Sequence, residues 1–256
     1  MKRQPKQRRN KPAEKRNKRS PVTGRIPVQE ALRAGKRKPH CLYYLESGEG
    51  LEAILEAAAS IPAEACDRDT LDRLAEGLPH QGVVLDAEPL PVHRAEDWTA
   101  QAFSRDAIAV VLDGVTDPHN FGAIVRSAAA CGACGVVFAK DRAAPVSTAA
   151  TKSAAGGMEY VDLVQATNLA RALALLKEAG FWIAGLDEDG DRLLWETDLT
   201  GRIALVIGSE GDGMRRLTRE RCDYAARIPL DGPLPSLNAS ASAAVALVEC
   251  KRQRSG

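Results

Sequence analysis

The strongest constraint on the fold is a run of five apolar residues, Ile108-Ala-Val-Val-Leu112, followed by a loop and a helical pattern over Phe121–Cys131. A strand that is apolar on both sides has to be covered on both sides, as a parallel strand inside a layered α/β domain is. The pattern recurs. Gly135–Phe138 (GVVF), Tyr160–Val164, Phe181–Leu186, Arg202–Ile207 (RIALVI) and Ala225–Ile228 read as further strands. Helices are predicted over Thr148–Ala155, Leu169–Ala179, Met214–Glu220 and Asn238–Cys250. Strands alternating with helices specify an α/β domain with a mainly parallel sheet.

A smaller alternation precedes it. Helices are expected over Val28–Ala34, Leu51–Ala59 and Asp69–Glu76, and strands over Cys41–Leu45 and Gly82–Leu85. The reading is therefore a small N-terminal α/β domain over 24–90, a linker over 91–106 rich in proline and charge, and a large domain over 107–256. Residues 1–23 form a disordered basic tail in this reading. Positions 1–20 hold ten Lys or Arg against the single acid Glu14, while the rest of the chain carries a net charge of −8. A basic tail on an acidic body points to a polyanion, nucleic acid above all. Nothing approaches 18 uninterrupted apolar residues, and the N-terminus has no apolar core of a secretory signal, so a cytoplasmic protein without membrane association is expected. The six cysteines do not amount to a disulfide framework in a chain of this kind. Cys131-Gly-Ala-Cys134 is a CxxC without a second ligand pair, so no metal is expected.

In parallel α/β sheets, ligands bind beyond the carboxyl ends of the strands. Three loops stand there. The first runs from Asp113 to Arg126 (DGVTDPHNFGAIVR), with Asn120 as a plausible N-cap and Arg126 about 240° further round the helix. The second is Gly208-Ser-Glu-Gly-Asp-Gly213. It matches neither GxGxxG nor the Walker pattern, and Glu210 and Asp212 within it would repel a pyrophosphate while suiting a hydroxyl, an amine or a cation. The third, Pro229-Leu-Asp-Gly-Pro-Leu-Pro-Ser-Leu-Asn238, is stiffened by three prolines. Ser236 and Asn238 are both good N-caps for the following helix, and whichever does not cap is free for a ligand. His119 reads as a loop histidine, and the acidic turn Asp187–Asp191 as a solvated one.

These three loops, in this order and at these strand ends, closely resemble the SpoU family of RNA ribose 2′-O-methyltransferases, within the SPOUT superfamily. The resemblance covers about Ile108 to Lys251. More weakly, Gly24–Gly35 (GRIPVQEALRAG) and His80-Gln-Gly-Val83 resemble the ribosomal-protein-like substrate-binding domain of the rRNA guanosine methyltransferases in that family. The resemblance implies a C-terminal α/β trefoil-knot domain, S-adenosylmethionine as cofactor and a homodimer with the site near the interface. Gly208, Ile228 and Leu237 match its cofactor-contacting positions, and Asn120, Arg126, Glu210, Ser236 and Asn238 its active-site positions. The implied reaction is 2′-O-methylation of a ribose, guanosine by the resemblance, in large-subunit rRNA. The alternatives are a tRNA ribose methyltransferase, or a non-catalytic RNA-binding or ribosome-assembly protein on the same fold. A sulfonium methyl is already activated, so the protein has to align the 2′-oxygen and help remove its proton. A guanidinium hardly deprotonates, so Arg126 is assigned to orientation and charge stabilisation, and the proton to phosphate or water.

Overall fold

The structure, a computed structural model, describes residues 20–47, 50–141, 147–234 and 236–255. Most of the basic tail therefore lies outside the described residues, as does Pro235 of the third loop. Positions 20–23, which composition assigns to the tail, belong to the first sheet: Ser20 N–H donates to the Ala87 carbonyl at 2.9 Å and Val22 pairs with Leu85.

The N-terminal part runs β1 (Val22–Thr23), α1 (Arg25–Ala34), β2 (Pro39–Tyr44), α2 (Leu51–Ala57), β3 (Ala63–Ala65), α3 (Arg68–Leu74) and β4 (Val83–Ala87). The strand order is β1-β4-β2-β3, with β2 and β3 parallel and the other pairs antiparallel. Alternation along the strands sorts the core. Leu42, Val83 and Leu85 pack with Val28 of α1 and Leu51 and Ile54 of α2, while Val84 packs with Leu71 of α3 on the opposite face.

The remainder runs β5 (Val92–Arg94), α4 (Ala95–Thr99), β6 (Ile108–Asp113), α5 (Pro118–Ala130), β7 (Gly135–Ala139), α6 (Thr148–Ala154), β8 (Asp162–Ala166), α7 (Leu169–Glu178), β9 (Trp182–Leu186), β10 (Arg192–Leu193), β11 (Ile203–Gly208), α8 (Arg216–Arg219), β12 (Tyr224–Arg227) and α9 (Ala239–Arg254). Its eight strands lie in the order β10-β12-β9-β11-β6-β7-β8-β5, and every neighbouring pair is parallel. The apolar run at β6 explains why. Ile108, Val110 and Leu112 pack toward α5 and α9, with Phe121, Ile124, Ala243 and Leu247. Ala109 and Val111 pack toward α4 and α7, with Trp98, Leu173 and Leu176. Phe121 meets Phe138 edge-on, with ring centroids 5.3 Å apart, a favoured aromatic geometry.

The segment expected to be a linker is instead an integral edge of this sheet. β5 pairs with β8, and α4 buries Trp98, whose indole N–H donates to Asp162 Oδ2 at 2.9 Å. A three-residue strand and a five-residue helix among prolines and charges are too short to show a period, so composition alone favours a linker.

Candidate active site

Each loop is shaped by local chemistry before it is shaped by a ligand. α5 starts at Pro118, and its cap is Asp117, which accepts from the N–H groups of His119 at 3.1 Å and Asn120 at 3.3 Å. Pro at the first helical position and Asp just before it make a strong helix start. The sequence predicts the cap at Asn120; the structure places it at Asp117, and the Asn120 side chain is released for other use. Its amide donates to Glu210 Oε1 at 2.8 Å, joining the first loop to the second across 90 residues of chain.

The second loop is a tight reversal after β11. Ser209 and Gly213 exchange backbone hydrogen bonds at 3.0 and 3.1 Å. Gly211 (φ +87°) and Gly213 (φ +63°) occupy the left-handed region, which glycine enters at little steric cost. Asp113, at the end of β6 beside Gly208, anchors the chain as it leaves this turn. Its fully buried carboxylate accepts the Arg215 backbone N–H at 2.8 Å and lies 3.0 Å from Arg215 Nε.

The third loop ends at Asn238, which caps α9 by accepting the Ala241 N–H at 2.8 Å, while Ser240 Oγ donates to the same oxygen at 3.2 Å. Because both partners are donors, the oxygen of Asn238 faces the helix and its NH₂ group is left over. The same reasoning for Asn120, whose partner is a carboxylate, leaves its carbonyl oxygen over. Ser236, beside the cap, is exposed.

A cavity of about 400 Å³ opens at the carboxyl ends of β9, β11 and β12, between the second and third loops. Gly208, Ile228 and Leu237, and Glu210, Ser236 and Asn238, all line it. Asn120 reaches it through Glu210. Arg126 is not among the lining residues: it is exposed on α5, and its side chain has no hydrogen bond or ion pair among the described residues. Six positions along a helix correspond to about 9 Å of rise and about 240° of turn, so Asn120 and Arg126 leave α5 from different faces.

The acidic turn after β9, expected to be merely solvated, also belongs to the cavity wall through Asp187, Glu188 and Asp189. The strand-end rule that singles out the other loops applies equally to this turn; its charge density masks it. Arg219 pairs with Asp187 at 3.2 Å, and with Glu210 and Asp212 the lining keeps a surplus of carboxylates. Such a wall attracts cations and repels polyphosphates.

The other sequence candidates lie elsewhere. His119 sits on the first turn of α5 with Nδ1 3.1 Å from Ser153 Oγ. Cys134 donates its thiol to the Ile108 carbonyl at 3.1 Å, and burial pushes its pKa up to about 12. Among the described residues no group of three or more His, Cys, Asp or Glu is placed to hold a metal ion.

Two family models match the chain. That of the SpoU rRNA Methylase family covers residues 107–248, and that for RNA 2′-O ribose methyltransferase substrate binding covers residues 21–92. The 23S rRNA (guanosine-2′-O-)-methyltransferase RlmB of Pseudomonas aeruginosa is 44% identical over 240 residues, covering 91% of this chain and 96% of that protein. RlmB of Escherichia coli K12 is 43% identical over 193 residues, 75% of this chain and 79% of that protein. Among solved structures, the SpoU methyltransferase AviRb from Streptomyces viridochromogenes in complex with AdoMet superposes with a TM-score of 0.78 at 28% identity, covering 93% of this chain and 92% of that one.

Proposed function

The chain belongs to the SpoU rRNA methylase family, and on that premise we propose that it transfers a methyl group from S-adenosylmethionine to the 2′-oxygen of a guanosine ribose in large-subunit rRNA. The observation that carries this reading is the cavity at the ends of β9, β11 and β12, bordered by the Asn120–Glu210 hydrogen bond and the free NH₂ group of Asn238.

The lining fits the cofactor. A sulfonium and an ammonium are cations, and the wall is rich in carboxylates. The apolar side chains of Leu186, Ile207, Ile228 and Leu237 offer surface for an adenine ring. At Gly208 the backbone is pressed against the following turn: a Cβ there would stand 2.4 Å from the Gly213 carbonyl carbon and 2.5 Å from Met214 N. Only glycine lets the strand end and the turn close on each other in this way. Gly208, Ile228 and Leu237 would hold the cofactor, which supplies a methyl carbon already activated for transfer.

The chain's own groups then position the ribose. Asn238 donates through its NH₂ to a ribose or phosphate oxygen. Asn120 accepts through its carbonyl, and Glu210 holds that amide in one orientation. The Ser236 hydroxyl serves as donor or acceptor at the same rim. The Arg126 guanidinium stabilises negative charge developing on the oxygen, leaving the proton to phosphate or water. The Asn120 and Asn238 amides are held by their hydrogen bonds before the substrate arrives, so those two groups need little reorganisation at the moment of reaction.

Arg126 faces solvent in its own chain, and α9 exposes Val245 and Val248. Both features support a homodimer in which the guanidinium serves a reaction centre near the interface. No helix among the described residues is long and apolar enough to cross a membrane, in keeping with a cytoplasmic enzyme. Incubation with methyl-tritiated S-adenosylmethionine and in vitro transcribed large-subunit rRNA tests the reading. Label should appear in ribose, and label confined to bases or absent from RNA would refute it.

A further inference from the structure

Between α6 and β8 the chain makes a short turn, Gly156 to Val161, that is held from both sides. On one side stands the N-terminal unit. Arg37 Nε donates to Glu159 Oε1 at 2.9 Å, with side-chain exposures of 6% and 4%. Lys36 donates to the Val161 carbonyl at 2.6 Å and to Asp162 Oδ1 at 2.7 Å, and the Tyr160 hydroxyl donates to the Glu30 carboxylate. A Cβ on Gly156 would stand 2.7 Å from Cβ and Cγ of Glu30. On the other side stands α5. A Cβ on Gly157 would stand 2.9 Å from Cα of Arg126 and 3.4 Å from its backbone nitrogen. The turn is thus a spacer, one backbone thick, between the RNA-binding unit and the helical turn that carries Arg126.

The second carboxylate oxygen of Glu159, Oε2, is buried without a hydrogen-bond partner among the described residues. A buried ion pair with an unsatisfied oxygen is a poor source of stability, because apolar side chains of similar size would hold the two surfaces together at least as well. What such a pair does impose is alignment: any other seating of the two units leaves a desolvated charge unpaired.

We propose that Glu159 is a positioning residue for methyl transfer, its carboxylate and Arg37 fixing the N-terminal unit against the turn beneath Arg126 so that RNA held by one unit meets the arginine of the other in a single register. This rests on the reading of the protein as an RNA ribose methyltransferase in which Arg126 faces the reacting sugar. Misplacement of reacting groups by about an ångström is enough to slow chemistry by about a hundredfold, so the effect should appear in turnover rather than in binding.

The test is the double variant Arg37→Met/Glu159→Met, which keeps the joint filled and apolar. Expected are a melting temperature at or above that of the wild type, S-adenosylmethionine affinity within about twofold by calorimetry, RNA affinity within about threefold by filter binding, and kcat on large-subunit rRNA transcript lower by about tenfold or more. A purely structural joint would instead leave kcat intact once stability is restored, and kcat within about twofold of wild type overturns the proposal. Should the double variant lose cofactor binding, Arg37→Lys carries the test. It keeps the charge beside Glu159 but gives up the fixed guanidinium geometry, and the same fall in kcat with cofactor affinity retained is expected; unchanged kcat overturns the proposal. If the wild-type protein itself transfers no methyl group to RNA, the underlying reading falls and the inference falls with it, whereas active wild type with unaffected variants sinks the inference alone.

Discussion

Replacing Asn238 by aspartate separates two roles that one side chain combines. Its oxygen caps α9 by accepting from Ala241 N–H at 2.8 Å and Ser240 Oγ at 3.2 Å, and its NH₂ group is the donor proposed to meet the substrate. Asn238→Ala removes both, and loss of the cap should lower stability by about 1 kcal/mol, a fall in Tm of about 2–4 °C for a chain of this size. Asn238→Asp keeps a good capping oxygen, and its charge at the helix N-terminus is favourable by about 0.3–1 kcal/mol, so Tm should stay at or slightly above the wild-type value. The aspartate nevertheless offers no donor. Losing one hydrogen bond to a charged or charge-developing oxygen removes about 1.5–3 kcal/mol, which corresponds to a fall in kcat/KM of about 10- to 150-fold. Thermal melting and tritiated-methyl transfer on the same preparations provide the comparison. Wild-type turnover by Asn238→Asp would refute the assignment of the NH₂ group to substrate. A melting temperature for Asn238→Asp as low as that of Asn238→Ala would refute the capping argument.

Three further perturbations probe the cofactor turn, the basic tail and the joint between the units. Gly208→Ala forces a methyl group into backbone at 2.4 Å, an overpacking cost of about 1–3 kcal/mol; calorimetry should show S-adenosylmethionine bound at least about fivefold more weakly, and unchanged affinity would separate the β11 turn from the cofactor. Deleting residues 1–20, which hold ten Lys or Arg, should weaken RNA binding more at low than at high salt and flatten the plot of log affinity against log salt; an unaltered slope would leave the tail without phosphate contacts. At Asp162, partial burial raises the pKa, but the hydrogen bonds from Lys36 and Trp98 and the charges of Lys36 and His93 outweigh it, so the carboxyl is held below its ordinary value. A group with a depressed folded-state pKa contributes stability that is complete above the unfolded value, about 3.9 for aspartate, and is lost as pH falls through the lower folded value. Urea midpoints between pH 5 and pH 3 should fall for the wild type and fall less steeply for Asp162→Asn, and equal slopes would remove Asp162 from the acid response.

Most of the large sheet is legible in the sequence because its strands are continuous apolar runs. Ile108–Leu112 and Ile203–Ile207 are buried on both faces, and no polar alternation blurs them. The edges are not legible, for the opposite reason. β5 (Val92–Arg94) and β10 (Arg192–Leu193) are short and carry exposed residues, and β3 is exposed at all three positions. The loops after β6, β11 and β12 can be found from their place after buried strands, and Gly208, Glu210, Ile228, Ser236, Leu237 and Asn238 line one cavity, which the first loop meets only through the Asn120–Glu210 hydrogen bond. Two details depend on competition between neighbours. Asp117 outcompetes Asn120 for the N-cap because Pro118 sets the first helical residue. The turn at Asp187–Asp189 looks like solvated charge until the fold sets it on the cavity wall. Arg126 marks a different boundary: its helical position is readable from sequence, but within the single chain it is exposed and lines no part of the cavity.

Ribose methylation by this protein can be read directly by nucleoside mass spectrometry of large-subunit rRNA transcript after incubation with the purified protein and S-adenosylmethionine. A protein that works as proposed leaves 2′-O-methylguanosine in the digest, dependent on the cofactor and lost in the Arg126→Ala variant while cofactor binding persists. A digest with no ribose-methylated nucleoside, or with methyl groups on bases alone, would contradict it.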